Sequence, residues 1–185
     1  NWALYRLMER FSKEFPNVMA MLCAGGSGRV DYGALPYFHS FWPSDNTDPL
    51  GRIKIQWGFS HFFPASTISA HVTRMGKRHL KLAIDVALSG AFGIDLALDK
   101  ATAEERVQIA DAVKLYKASI RPLVMQGELY RLVSPYEHPM ASLSYVSTDK
   151  NDAVVYLYQI QDGSVPQVIL GGLDARKNYR VEEVG

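Results

Sequence analysis

The chain changes its hydrophobic period near residue 125, and that change limits its architecture more than any other feature. Before it, helical spacing alternates with short unbroken apolar runs. Leu4, Leu7, Met8, Phe11 and Phe15 mark an amphipathic helix over residues 2–14, which Pro16 ends. "VMAMLC", residues 18–23, reads as a strand buried on both faces, as in a parallel sheet. The loop "AGGSGR" follows, and "YGALPYFHSFW" leads to a second apolar stretch that ends at Ser44 and Asp45. Asp48 and Pro49 fit the N-cap and first position of a helix running to about Ser60. "HFFPASTISAHV" is a third strand candidate, weakened by Pro64. "KRHLKLAID" is helical, and "VALSGAFGIDLAL", residues 86–98, is a fourth strand region whose glycines imply a bend or close packing. Thr102 and Glu105 have capping-box spacing and open a helix to about Leu123, with Ile109, Val113, Tyr116 and Ile120 on one face.

After Pro122 only strands are expected. "GELYRLVSP", "MASLSYVSTD", "AVVYLYQIQ", "PQVILGGLD" and "YRVEEV" are short and rich in β-branched and aromatic residues. Turn signals such as Asp149–Asp152 and Asp162-Gly163 divide them, which is the pattern of antiparallel strands. Alternating strands and helices predict a parallel sheet covered by helices. Four such units are too few for a closed eight-stranded barrel and would make half of one. The expected fold is therefore α/β: the C-terminal half of a (β/α)8 TIM barrel over 1–124, then part of an antiparallel β-sandwich over 125–185.

Composition narrows function by exclusion. With 185 residues, 48% of them apolar, the chain fills one domain or pieces of two. A net charge of +1 gives no reason to expect nucleic acid; the densest basic stretch, "RMGKRHLK" at 74–81, reads as a solvated helix face. The single cysteine, Cys23, excludes an internal disulfide and a cysteine-rich zinc site, and it leaves the compartment undecided. The five histidines show no H-x-x-x-H spacing, so no metal is expected. No apolar run approaches the ~20 residues of a membrane helix, and no targeting segment is recognisable. The chain starts within a helical pattern and stops within a strand-like one, so it is expected to be a piece of a longer polypeptide.

Two short stretches offer chemistry. "CAGGSGR", residues 23–29, follows a strand, but it lacks the lysine and spacing of a P-loop. Its glycines let backbone approach a small ligand. Cys23 is then a buried structural thiol or a ligand contact without covalent chemistry; the nucleophile reading is the weaker one, because no histidine stands in an evident partner position. "FHSFWPSDNTDP" ends a strand with aromatics and carboxylates. Trp42 is either core or a flat ring that covers the C–H face of a sugar. Asp48 has a plain explanation as the cap before Pro49. Asp45, three residues ahead of that cap, has no capping geometry to explain it. Asp31 is expected to cap or to pair with Arg29.

Taken together, "CAGGSGRVDYGALPYFHSFWPSDNTDPLGRIKIQWGFSHFFPASTISAHV" resembles glycoside hydrolase family 36, the retaining α-galactosidases. Its typical run there is C-x-x-G-G-G-R-x-D followed by W-x-S-D-N-T-D. "KLYKASIRPLVMQGELYRLVSP" and "GLDARKNYRV" are similar to later parts of that family. The resemblance implies barrel strands five to eight plus part of the C-terminal sandwich. It implies Asp45 as general acid/base at the end of strand six, with Cys23 and Gly26 near the sugar 2-hydroxyl and Trp42 in the same pocket. The nucleophile, an aspartate in a K-W-D-type motif of strand four, is not in this chain, so the chain alone is expected to be inactive. Terminal α-galactosides are the implied substrates, without a cofactor, and the full-length enzyme is implied to be a homo-oligomer. Met21 and Ser27 depart from the family pattern and leave the fine substrate preference open. The alternatives are α-N-acetylgalactosaminidase, a transglycosylase of the raffinose-synthase kind, or a non-catalytic carbohydrate-binding or structural remnant.

Overall fold

The computed structural model describes residues 2–184. Among the described residues five α-helices, α1 (Trp2–Glu14), α2 (Pro49–Phe59), α3 (Leu80–Ala87), α4 (Ala103–Leu115) and α5 (Arg121–Gln126), accompany seven strands. Of these, β1 (Met21–Leu22) pairs parallel with β2 (Ser40–Phe41), and β3 (Ser69–Val72) pairs parallel with β4 (Ala91–Ile94). A parallel bridge between Phe41 and Ile68 joins the two pairs, so the four strands follow one another in chain order.

One face of this sheet carries the core. Ala70 and Val72 pack with Ile53 and Trp57 of α2 and with Leu80 and Ile84 of α3. Leu22 and Phe41 form a second cluster with Ala34 and Phe38. Met21, Ser40, Ser69, His71 and Gly93 instead line an open cleft of about 460 Å³. The stretch 18–23 is accordingly not buried on both faces as expected. Val18, Met19 and Met21 are exposed and only Leu22 is enclosed. Among the described residues β1 has a single strand neighbour, and its second face looks into the cleft.

Helix ends follow local chemistry. Thr102 Oγ1 accepts the Glu105 N–H at 3.2 Å, and the Thr102 N–H donates back to Glu105 Oε2 at 3.0 Å, completing the expected capping box. Both carboxylate oxygens of Glu105 also receive Arg74, at 2.6 and 2.7 Å. The Arg74 guanidinium, aided by the Thr102 N–H, holds the Glu105 carboxyl down at about 2. The helix expected to end near Leu123 runs on to Gln126, with a π-helical turn over Tyr116–Ile120. Pro122 gives the physical reason: its ring lacks an N–H and would crowd the Ala118 carbonyl four residues back, and a wider turn relieves this. Asp31 caps the short 3₁₀ turn Tyr32–Ala34 by accepting the Ala34 N–H, and it also takes the Tyr5 hydroxyl rather than Arg29.

Beyond α5, β5 (Glu128–Val133), β6 (Met140–Val146) and β7 (Ala153–Gln159) form an antiparallel sheet in the order β5-β6-β7. The further strands expected at "PQVILGGLD" and "YRVEEV" are absent; these segments are irregular. Ile169, Leu170, Val181 and Val184 lie exposed. β-branched residues favour a strand through packing on a pleated surface, and these have none to pack on.

Tyrosines fasten this sheet to α3. Tyr158 donates to the Asp85 carbonyl at 3.1 Å, Tyr156 to that of Leu88 at 2.9 Å and Tyr145 to that of Ser89 at 2.6 Å. Tyr116, from the π-helical turn, donates to the Gly90 carbonyl at 2.9 Å. These carbonyls lie in the last turn of α3 and just beyond it, where helical partners run out. Burial pushes the phenols of Tyr145, Tyr156 and Tyr158 well above their ordinary value of 10.0.

Two outcomes follow from these contacts. Tyr156→Phe leaves the Leu88 carbonyl without its partner and should lower unfolding free energy by about 1–2 kcal/mol in a denaturant titration. The raised phenols hold their protons in the folded state while unfolded tyrosines ionise. Their contribution is thus whole below pH 10 and is lost as the pH climbs above it. Absorbance near 295 nm should show these phenols ionising only together with unfolding; their titration in the intact fold at the ordinary value would contradict this.

Candidate active site

The motif at 42–49 is built almost wholly from residues that hold one another. Ser44 Oγ accepts the Asn46 N–H at 3.1 Å, and Asn46 Oδ1 accepts the Asp48 N–H at 3.1 Å, giving two successive side-chain turns. Thr47 is buried; its hydroxyl accepts from Thr73 at 2.8 Å and its N–H donates to Met75 Sδ at 3.2 Å. Pro49 occupies the first turn of α2 as expected. Asp48 sits at the N-cap position, but its side chain makes no capping bond. It accepts Arg78 Nε at 3.1 Å instead, which corrects the capping reading. Gly76, at φ +74°, makes room for that carboxylate: a Cβ there would stand 1.9 Å from Asp48 Oδ1.

Asp45 is the member left over. Its side chain is exposed at the C-terminal side of β2. Oδ1 accepts the Trp42 indole N–H at 3.0 Å, and among the described residues Oδ2 has no hydrogen-bond partner. An ionised carboxylate has room for about four acceptor bonds. Most of that capacity here faces solvent.

The glycine loop comes to the same place. Gly26 is buried and left-handed at φ +73°. A Cβ on it would lie 3.1 Å from Ser44 Cα and 3.6 Å from the Asp45 nitrogen, so the loop packs directly on the backbone that carries Asp45. Cys23 is exposed, not a buried thiol. It follows Leu22, whose carbonyl accepts the Trp42 N–H at 2.9 Å. The structure thus brings Cys23, Gly26, Trp42 and Asp45 to the ends of β1 and β2.

Two residues overlooked in the sequence complete the surroundings. His71 of β3 meets the Trp42 ring edge-on at 4.7 Å between centroids and lies over Gly93, where a Cβ would stand 2.5 Å from its ring. Burial lowers the His71 pKa, with Asp95 opposing and Arg52 adding to the effect. Arg52 of α2 places its guanidinium 5.2 Å from the Trp42 ring centre. It donates to the Ser44 carbonyl at 3.0 Å, to Gln56 Oε1 at 3.1 Å and to the Ser69 carbonyl. The available signal was Arg52 and Gln56 beside Ile53 and Trp57, polar residues sharing the inward face of a helix. Among the described residues no group of three or more His, Cys, Asp or Glu side chains could hold a metal.

Residues 1–127 match the family described as Melibiase. The chain belongs to the melibiase family. The chain is 38% identical over 191 residues to α-galactosidase AgaA of Geobacillus stearothermophilus, across 98% of the chain and 26% of that protein. It is 33% identical over 192 residues to probable α-galactosidase G of Aspergillus terreus, across 98% of the chain and 26% of that protein. The crystal structure of the family 36 enzyme AgaA from Geobacillus stearothermophilus matches with a TM-score of 0.87 at 37% identity, covering 94% of this chain and 25% of that one. A variant of AgaA in complex with raffinose also matches with a TM-score of 0.87, at 36% identity and the same coverages. The resemblance to glycoside hydrolase family 36 thus holds over nearly the whole chain. The chain spans about a quarter of the length of these relatives.

Two neighbouring glycines separate strain from contact. Gly25→Ala meets nothing within 4 Å and carries only the left-handed backbone cost, about 1–2 kcal/mol. Gly26→Ala should carry that cost and also push on the Ser44–Asp45 backbone. Denaturant titrations should find Gly26→Ala the more destabilising, with faster amide exchange at residues 44–46 in that variant alone. Equal effects of the two substitutions would remove the contact from the account.

Proposed function

We propose that the complete protein carrying this chain is an α-galactosidase that hydrolyses terminal α-galactosides of oligosaccharides with retention, and that Asp45 is its general acid/base. One observation carries the reading. Asp45 is the carboxylate in "SDNTD" that no fold contact saturates, and it stands at the C-terminal end of a parallel strand, where barrel enzymes place their chemistry. Membership of the melibiase family, among relatives named α-galactosidases, supports the reaction class.

In this reading residues 1–124 form the second half of a (β/α)8 barrel and 125–185 part of a C-terminal sandwich. Cys23, Gly26 and Trp42 line the galactose site. A second carboxylate, from elsewhere in the complete protein, attacks the anomeric carbon. Asp45 gives its proton to the departing oxygen, then takes one from the water that releases the sugar. The Trp42 indole N–H holds Oδ1. This leaves Oδ2 as the oxygen that exchanges the proton. The chain alone holds one of the two carboxyl groups and does not turn over substrate.

The test compares leaving groups. In the complete protein Asp45→Ala should reduce kcat/KM on raffinose by about 10²-fold or more, the size of a general acid's contribution. An aryl α-galactoside with a good leaving group needs little proton donation and should suffer a smaller loss in the first step. Equal losses on both substrates, or none, would sink the assignment.

A further inference from the structure

We propose that Arg52 is a positioning residue for the acid/base carboxylate, holding Asp45 through the Trp42 indole and the Ser44 carbonyl. This inference rests on the reading of Asp45 given above. Arg52 is only 2% exposed, and among the described residues no carboxylate pairs with it. A buried guanidinium without a counter-ion is costly, and an apolar residue of the same volume would serve packing better. Its bonds show what the charge does instead. One N–H fixes the Ser44 carbonyl, in the peptide bond to Asp45. Another reaches the Ser69 carbonyl at the start of β3, so the guanidinium ties the β2 loop to the next strand. Nε binds Gln56 Oε1, and Gln56 is itself anchored to the Val86 carbonyl and Ser89 Oγ, each at 3.1 Å.

The guanidinium also lies 5.2 Å from the centre of the Trp42 ring, whose N–H grips Asp45 Oδ1 at 3.0 Å. A cation near the ring face strengthens that arrangement electrostatically and makes the indole N–H a better donor. His71 meets the same ring edge-on, so Trp42 has little freedom to turn. Asp45 is therefore fixed at its backbone by the Ser44 carbonyl and at its side chain by the indole, and Arg52 stands behind both. Burial lowers the Arg52 pKa to about 10, which leaves it charged at neutral pH. The titratable groups around the cluster are Asp45 past the indole, His71 from β3, and Asp95 after β4, which acts on His71.

The experiment uses the complete protein, raffinose and an aryl α-galactoside. Arg52→Gln should lower kcat/KM on raffinose about tenfold or more, with kcat/KM for the aryl substrate changed by less than about threefold, because kcat/KM reports the first step, where only the poor leaving group needs the misplaced proton donor. Arg52→Lys, which keeps the charge but not the planar fork, should recover only part of the kcat/KM lost on raffinose and leave the aryl substrate near wild type. If Arg52→Gln does not fold, Trp42→Phe tests the same route: it keeps an aromatic ring beside Arg52 and removes the indole N–H that holds Asp45, and its smaller ring weakens sugar contact alike for both substrates, so the split between them still reports the carboxylate. It should show the same split between substrates. Equal losses of kcat/KM on both substrates, with no partial recovery in Arg52→Lys, would make Arg52 purely structural and overturn the inference while leaving Asp45 in place. Wild-type kinetics in the variants would do the same. A wild-type protein inactive on both substrates would overturn the reading of Asp45 and this inference with it.

Discussion

The end of α3 and the turn into β4 are the point on which the rest of the structure depends. Over six residues the backbone offers carbonyls that a continuing helix would have used, and side chains from four other elements take them. Tyr158 and Tyr156 of β7 reach Asp85 and Leu88, and Tyr145 of β6 reaches Ser89. Tyr116 reaches Gly90, and Gln56 of α2 reaches Val86. The Val86 carbonyl also accepts the Ser89 N–H and hydroxyl, but a buried carbonyl left unpaired costs about 1–3 kcal/mol, so the four that the tyrosines take would be enough to undo a marginally stable fold. The tyrosines also explain how an antiparallel sheet lies against a parallel one without a shared ladder. Their rings fill the core between the layers while their hydroxyls close the helix end.

The same point leads to the site through a chain of short contacts. Ser89 and Val86 hold Gln56, Gln56 holds Arg52, and Arg52 meets both the Ser44 carbonyl and the Trp42 ring. The polar residues buried on α2 thus serve two purposes. They satisfy the α3 terminus, and they carry that rigid reference to the loop bearing Asp45. An all-apolar inward face on α2 would pack as well but would leave the Val86 and Ser44 carbonyls without these donors.

Much of the local structure was legible in the sequence because local chemistry decides it. The Thr102–Glu105 box needs only four residues, and Pro49 starts a helix wherever it falls at the first turn. Asp45 was set apart from Asp48 by the position of a cap, a premise that the Asp48 side chain does not meet. What failed was what depends on partners far along the chain. Asp48 is taken by Arg78, thirty residues away, and no capping rule anticipates that competition. His71 showed no ligand spacing and was passed over, yet its neighbours are Trp42 and Gly93, set by the order of the strands. Residues 166–174 and 179–184 have strand-like composition but lack a neighbouring ladder, and composition is silent about neighbours.

The distribution of hydrogen bonds within "WPSDNTDP" gives the motif a physical logic. A carboxylate in the acid/base role proposed for Asp45 must be held firmly and still keep an oxygen free, and these demands conflict if the holding is done by the carboxylate itself. Here the neighbours do the holding. Ser44, Asn46, Thr47 and Asp48 spend their polar groups on the turn, on Thr73 and Met75, and on Arg78. Gly26 closes on the backbone from the other side, where any larger residue would intrude. Asp45 then needs a single bond, from Trp42, to set its orientation. Its remaining oxygen faces solvent because every residue around it has already met its own requirement.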